Sequence, residues 1–508
     1  MFFNSFSFVT LFLFTFCIYY LPALRKLQVP ILIAASFVFY AWNLPILLLL
    51  LIFSIVINAL TSYKTIQSFT KTSRLFWAVL GVAANLTILG LFKYGALLTN
   101  LFLDLFKVST PPDGIVQLLL NLPLPIGISF YTFQGISLIV DVLREQKNID
   151  SEKNLTERNR KPINIFFTEN SKDQAKYLFN TSFFISFFPQ LIAGPIVKAR
   201  DFFPQIQAKY FREIPWEIVF RSLTLGYFLK MVVADNLKDY TFWITYPYYQ
   251  RNGTLTNVVL LFGYSMQIFA DFAGYSLIAI GLAASLGYTL PQNFNFPYIS
   301  RSLSEFWNRW HISLSSWLKY YLYIPLGGNR HGKIRTYINL MIVMALGGLW
   351  HGAAWSYAVW GIYHGIGLAV ERLWLDWKNI KKTSEEDLPF WRQVVEQSIQ
   401  VIFVFSFVSI GWLLFKLPRF EEAVDFIVTL SKNINIQPFL IQIIPVLFFS
   451  LPVILYHLSN FPLLRKAFDK ELSIVNWRYN FQDIAWGIML FLIILNSGSS
   501  SDFIYFQF

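Results

Sequence analysis

Two of the five histidines stand where an imidazole could do chemistry. His351 lies in "GGLWHG" (347–352), directly after Trp350, in a stretch apolar enough for a membrane interior. His311 lies in "NRWHISLSS" (308–316). An imidazole titrates near about pH 6.5, so a neutral ring can take a proton from a hydroxyl near neutrality. His351 is the better base, because Gly347, Gly348 and Gly352 leave the backbone beside it open to a substrate or a neighbouring helix. His311, with Asn308 and Ser315 as neighbours on one helix, reads as a group that orients an acceptor or stabilises charge on a carbonyl oxygen. The separation of 40 positions between the two histidines allows a helix, a turn and a return, so their rings can meet from different helices. His364 differs: on a continuous helix it stands about 20 Å beyond His351 and rotated by about 220°, and it reads as an interhelical hydrogen-bonding residue. His331, among Arg330, Lys333 and Arg335, reads as a loop residue at the cytoplasmic surface.

The elements that must position these residues are membrane helices. Of 508 residues, 55% are hydrophobic and 14% charged, where soluble domains carry about 25% charged residues. Apolar runs recur along the whole length, which predicts an all-α polytopic membrane protein: one membrane-embedded domain, 1–508, with about ten to twelve transmembrane helices and short re-entrant or interfacial helices around a central cavity. Spans are expected at 6–24, 29–60 (two, broken near Asn43–Pro45), 76–103, 115–140, 178–197, 216–234, 255–287, 338–375, 394–416, 439–457 and 484–496. The stretches 144–176 and 376–393 read as polar loops within that domain. Arg25–Lys26 after the first run, and Lys64, Lys71 and Arg74 in an acid-free segment, predict a cytoplasmic face for both and an outer N-terminus. The net charge of +12 resides mainly in such loops, so nucleic acid is excluded as a partner and membrane lipid is the expected surroundings. The single cysteine, Cys17, excludes a disulfide within the chain and a cysteine metal cluster; no metal site is expected.

Between 267 and 372 the polar residues exceed what topology explains. Asp271, inside "FADFAGYS", is either an ion-pathway carboxylate or a hydrogen-bonding pin between helices. From 302 to 322, apolar residues recur at spacings of three and four, predicting an amphipathic helix; Glu305 and Arg309 pair on its face. Such a polar helix is tolerable at membrane depth only against protein or a water-filled cavity, so 302–330 is expected to form a pair of short interfacial or re-entrant helices that line a cavity, followed by a turn at Gly327–Gly328.

The segments "LPIGISFYTFQGISLIVDVLRE" (124–145), "FISFFPQLIAGPIVKARDF", "DFAGYSLIAIGL", "NFNFPYISRSLSEFWNRWHISLSSWLKYYLYIPLGGNR", "GGLWHGAAWSYAVWGIYHG" and the terminal "DFIYFQF" occur in that order from about residue 80 onward. Together they resemble the membrane-bound O-acyltransferase family, in its bacterial alginate O-acetyltransferase-like branch. The resemblance implies a multi-pass enzyme of the bacterial cytoplasmic (inner) membrane with that family's fold. Its implied activity moves acetyl from a cytoplasmic thioester, acetyl-CoA, towards hydroxyls of an extracytoplasmic polysaccharide such as alginate. A separate extracytoplasmic acetyltransferase is the implied partner, and no bound cofactor is expected. His351 matches the histidine regarded as catalytic and His311 the family's second histidine. Trp350 belongs to the same element, and Arg330 and Lys333 either bind the phosphates of coenzyme A or simply follow the positive-inside rule. The chain departs from the branch at Leu277 and Tyr320, where acids are usual, and in a longer stretch near 147–174. The competing readings are transfer of D-alanyl to teichoic acid, or a lipid-linked sugar transporter or flippase. The latter predicts internal repeats, and none is visible.

Overall fold

The structure, a computed structural model, describes residues 1–107, 114–123, 125–153, 174–192, 194–380, 389–417, 419–461, 477–496, 498 and 503. Every regular element among them is helical, and they group into two compact units: Met1–Val219 with Ala279–Pro291, and Phe220–Ile278 with Gln292–Phe508. Six helices among the described residues are long and apolar enough to cross a bilayer, spanning 22–41, 47–67, 71–105, 254–285, 391–416 and 440–458. Other apolar runs are divided among shorter or broken helices.

In the first unit, α1 (Phe6–Tyr19), α2 (Gln28–Ala41), α3 (Leu47–Gln67), α4 (Lys71–Leu89), α5 (Ile128–Lys153) and α6 (Gln174–Ser186) form the main body. The break expected near Asn43–Pro45 separates α2 from α3. Lipid offers apolar helices no hydrophobic reason to associate, so small and amide residues join them. Asn58 and Asn85 exchange hydrogen bonds between α3 and α4 at 3.2 and 2.8 Å. A Cβ at Gly81 would overlap Thr61, and one at Gly135 would overlap Asn58, so these glycines let the helices close. The run 115–140 is not one span. A short helix, Ile115–Leu120, ends before Pro123, and α5 begins only after Gly127, which has φ +79°. Helix enters both stretches read as polar loops: α5 continues to Lys153, and α6 starts at Gln174, while 154–173 and 381–388 lie outside the described residues.

The second unit takes 254–278 of α7 (Thr254–Ser285), whose length is almost entirely buried. Two short helices follow, α8 (Leu303–Arg309) and α9 (Ile312–Leu318), then a π-helical turn at Lys319–Tyr323 and a reversal at Gly327 and Gly328, both with positive φ. The unit continues with α10 (Gly332–His351), α11 (Trp355–Ile380), α12 (Phe390–Lys416), α13 (Phe420–Lys432) and α14 (Leu440–Leu458).

The pair of short helices expected within 302–330 is present, whereas the single span expected over 338–375 fails because a chain reversal is hidden inside a periodic pattern. The stripe at 302–322 is two helices, because the backbone breaks at Trp310–His311. The run at 338–375 is a hairpin, α10 and α11 joined by Gly352–Ala354. Gly348 and Gly361 make the hairpin close: a Cβ at either would overlap a carbonyl oxygen of the other helix, Tyr357 or Met344.

Candidate active site

His311 occupies the joint between α8 and α9 with φ 43° and ψ 53°, a left-handed conformation that costs energy in a residue with a Cβ. The segment 293–295 holds it there. Asn295 N donates to Arg309 O at 2.9 Å and Ile312 N to Asn293 O at 3.0 Å. The Asn293 carboxamide oxygen accepts from the Ser313 hydroxyl at 2.7 Å and the Ser313 amide at 3.2 Å, while its nitrogen donates to the Ser276 hydroxyl at 3.0 Å. The backbone groups released by the broken helix are thus satisfied from outside it. The joint turns the His311 ring inward, where it is 1% exposed.

His351 is the last residue of α10. Gly352 follows in extended backbone, and a Cβ there would overlap the Tyr357 ring, so the glycine permits the turn directly after the histidine. The His351 and His311 rings lie with centroids 6.4 Å apart. Around them stand Phe272 (4.6 Å from His311), Trp350 (5.0 Å from His351), Phe415 (5.1 Å) and Trp360 (5.2 Å). Such edge-to-face packing fixes ring orientation without introducing charge.

A cavity of about 220 Å³ opens beside this pair. His351, Asn308 and Ser315 line it, together with apolar side chains of α9 and α10, so the stretch expected to line a cavity does so. Asn308 and Ser315 reach it from different helices. Asn308 donates to Ser304 O at 2.9 Å within α8. Glu305 and Arg309 pair as expected, at 2.8 Å. The N-terminus of α8 is capped by the carboxylate of Glu371 on α11, which accepts from the Leu303 and Ser304 amides and ties the cavity wall to the hairpin.

The remaining candidates separate. Trp350 packs against both histidines, 5.9 Å from His311. Asp271 is buried in an ion pair with Lys230 at 2.7 Å, and Lys230 also pairs with Asp235 at 2.7 Å. Arg330 is exposed, and Lys333 pairs with Asp376 at 2.9 Å; neither is among the cavity-lining residues. His364 is closer to the site than continuous-helix geometry implied, because the hairpin folds α11 back along α10. Its ring packs 4.8 Å from Trp360 and 5.1 Å from Trp307, and its nitrogens find no hydrogen-bond partner among the described residues. His331 is exposed at the start of α10. His457 is buried, bonded to Val453 O at 2.8 Å. Among the described residues no three His, Cys, Asp or Glu side chains gather as a metal site would require.

Sequence reasoning missed Asn293, Trp360, Phe415 and Lys319. Asn293 could have been suspected as an amide beside a broken stripe; the others depend on contacts distant in sequence. Of the terminal motif only Phe503 is described. It is fully buried, 4.3 Å from Tyr275 and 5.7 Å from Phe272, so it reaches the layer behind His311.

Residues 117–417 match the membrane-bound O-acyltransferase family. The chain is 34% identical to the peptidoglycan O-acetyltransferase of Helicobacter pylori, over 77% of this chain and 71% of that one. It is 36% identical to a probable alginate O-acetylase of Pseudomonas syringae, over 82% and 72%. A teichoic acid D-alanyltransferase of Bacillus subtilis is 27% identical over 60% and 70%.

Proposed function

The chain belongs to the membrane-bound O-acyltransferase family, and on that premise we propose that it takes acetyl from acetyl-CoA at the cytoplasmic face and passes it towards hydroxyls of an extracytoplasmic polysaccharide. The acceptor is a polymer of the alginate kind, reached through a separate extracytoplasmic acetyltransferase, and the membrane is the bacterial inner membrane. The observation that carries the reading is the meeting of His311 and His351, from different helices, in one aromatic pocket at a cavity. The higher identity of the O-acetyl relatives favours acetyl over D-alanyl.

In this mechanism the neutral His351 ring takes the proton of an attacking hydroxyl as its oxygen bonds to the thioester carbonyl carbon. Collapse of the tetrahedral species breaks the carbon–sulfur bond, and the imidazolium returns its proton to the departing thiolate. Negative charge on the carbonyl oxygen needs donors. The Trp360 indole N–H lies in a cavity-lining side chain that is 2% exposed, with no partner among the described residues, and His311 stands across from His351. The aromatic walls hold water away from the reacting thioester.

The test is release of free coenzyme A thiol from acetyl-CoA by purified protein in lipid vesicles with a hydroxyl acceptor. Turnover by the wild type and none by His351→Ala is the expected result. A wild type that consumes no acetyl thioester overturns the reading, and a transporter would behave that way.

A further inference from the structure

We propose that Lys319 binds the phosphate at the far end of the donor's pantetheine arm and so sets the donor's position in the cavity, an assignment that rests on the acyl-transfer reading above. Lys319 is the one charged side chain among the described residues lining the cavity, histidine aside. Its place follows from the helices. His311 opens α9 and Lys319 directly follows it, so at 1.5 Å per residue they are about 12 Å apart along the axis. The partner wall runs the other way: the lining residues of α10 extend from His351 back to Leu340, about 16 Å.

The two walls are in antiparallel register, since His311 meets His351, a Cβ at Gly347 would touch Leu318 at 3.1 Å, and Asn339 donates to Gly328 O at 2.9 Å. The cavity therefore has His351 at one end, Leu314, Leu318, Val343 and Met344 along its middle, and Lys319 with Tyr323 towards the other. A coenzyme A thioester has the same order: a reactive carbonyl, the long pantetheine arm, and a phosphate.

Lys319 differs from Lys230 and Lys333 in its charge partners. Lys230 is held by Asp235 and Asp271, and Lys333 by Asp376; Lys319 has no carboxylate within ion-pairing distance among the described residues. It also opens the π-helical turn Lys319–Tyr323, where the wider winding shifts these residues off the register of the α9 stripe, a distortion frequent at functional sites.

The experiment compares two thioesters on the full-length protein in vesicles: acetyl-CoA, and acetyl-pantetheine, which has the arm without the phosphate. Lys319→Met should raise KM for acetyl-CoA about tenfold, the worth of one charge-assisted contact, with kcat unchanged. KM for acetyl-pantetheine should not move, and Lys319→Arg should restore acetyl-CoA. The side chain is exposed, so folding is not at stake; Lys319→Gln, expected to match Lys319→Met, checks this. An unchanged KM for acetyl-CoA, or an equal rise for both thioesters, overturns the assignment and leaves acyl transfer standing. Absence of thioester turnover by the wild type overturns acyl transfer and the assignment with it.

Discussion

Lys230 with Asp235 and Asp271, and His311 with His351, are both buried polar groups of the second unit, yet they are built from different materials. The first cluster is closed by ion pairs at 2.7 Å, with each side chain 5% exposed or less. The second is enclosed by aromatic rings and borders a cavity. In the first, a charge taken out of water is answered by opposite charge, which fixes the π-helical stretch Phe228–Ala234 against α7. In the second, aromatic rings pack on the imidazoles, and a cavity lined by His351 adjoins them. Burial of a polar group therefore does not mark a reactive site. The distinction lies in whether its capacity is consumed by the fold or directed at a space.

The largest effect is expected at His351. Replacing it by Ala should lower acetyl transfer by about 10² to 10⁴-fold while the protein inserts normally, because a positioned base is typically worth that much. Polymer acetylation in cells at equal membrane-inserted protein measures it, and wild-type acetylation would remove His351 from the mechanism. His311→Asn should fall less, since Asn accepts left-handed backbone and keeps the joint while losing the ring.

The opposite behaviour is expected at Lys230. Lys230→Met leaves two carboxylates buried without their cation and should cost about 3–5 kcal/mol. Thermal unfolding in detergent should show the loss, and a triple variant with Asp235→Asn and Asp271→Asn should recover much of it. If Lys230→Met instead keeps full stability but abolishes transfer, the two clusters are not different in kind.

His364 tests the border between them. His364→Ala should lower stability by about 1–2 kcal/mol through lost packing on Trp360 and Trp307, with transfer per folded molecule near wild type. A collapse of transfer at unchanged stability would extend the reactive cluster to His364.

The smallest effect is expected at Asp425 on α13, a polar contact that belongs to neither cluster. Hydrogen bonds from Gln250 and Tyr249 hold its carboxyl below the usual 3.8. A depressed carboxyl contributes stability above its unfolded value and loses it as pH falls through the folded one. Wild type should therefore exceed Asp425→Asn slightly near neutrality, and the gap should close only below about pH 4. A gap that persisted in acid would mean that charge is not its source.

The sequence was most legible where residue type and neighbouring motif pointed the same way. Histidines in apolar surroundings, with glycines beside one of them and the motif context around both, nominated His311 and His351, and the break at Asn43–Pro45 was visible as proline in an apolar run. Reversals were less legible. Periodicity at 302–322 continues straight through the joint at His311, because both short helices present apolar residues to protein, and only Asn293 and its neighbours, arriving from outside, turn the backbone there. Likewise nothing in 338–375 taken alone says that Gly348 and Gly361 face each other across a hairpin.

By itself, then, the sequence determined the solvent, the helical class and the residues with chemistry to offer, since these follow from composition and from side-chain type. Tertiary structure alone decided which of them share a space. It brought His311 within 6.4 Å of His351, matched Asp271 to Lys230, tied Lys333 to Asp376, and left Lys319 at the cavity. The physical reason is that a charge or a ring has a fixed capacity for interaction, and whether that capacity is used up internally depends on which other element the fold places against it.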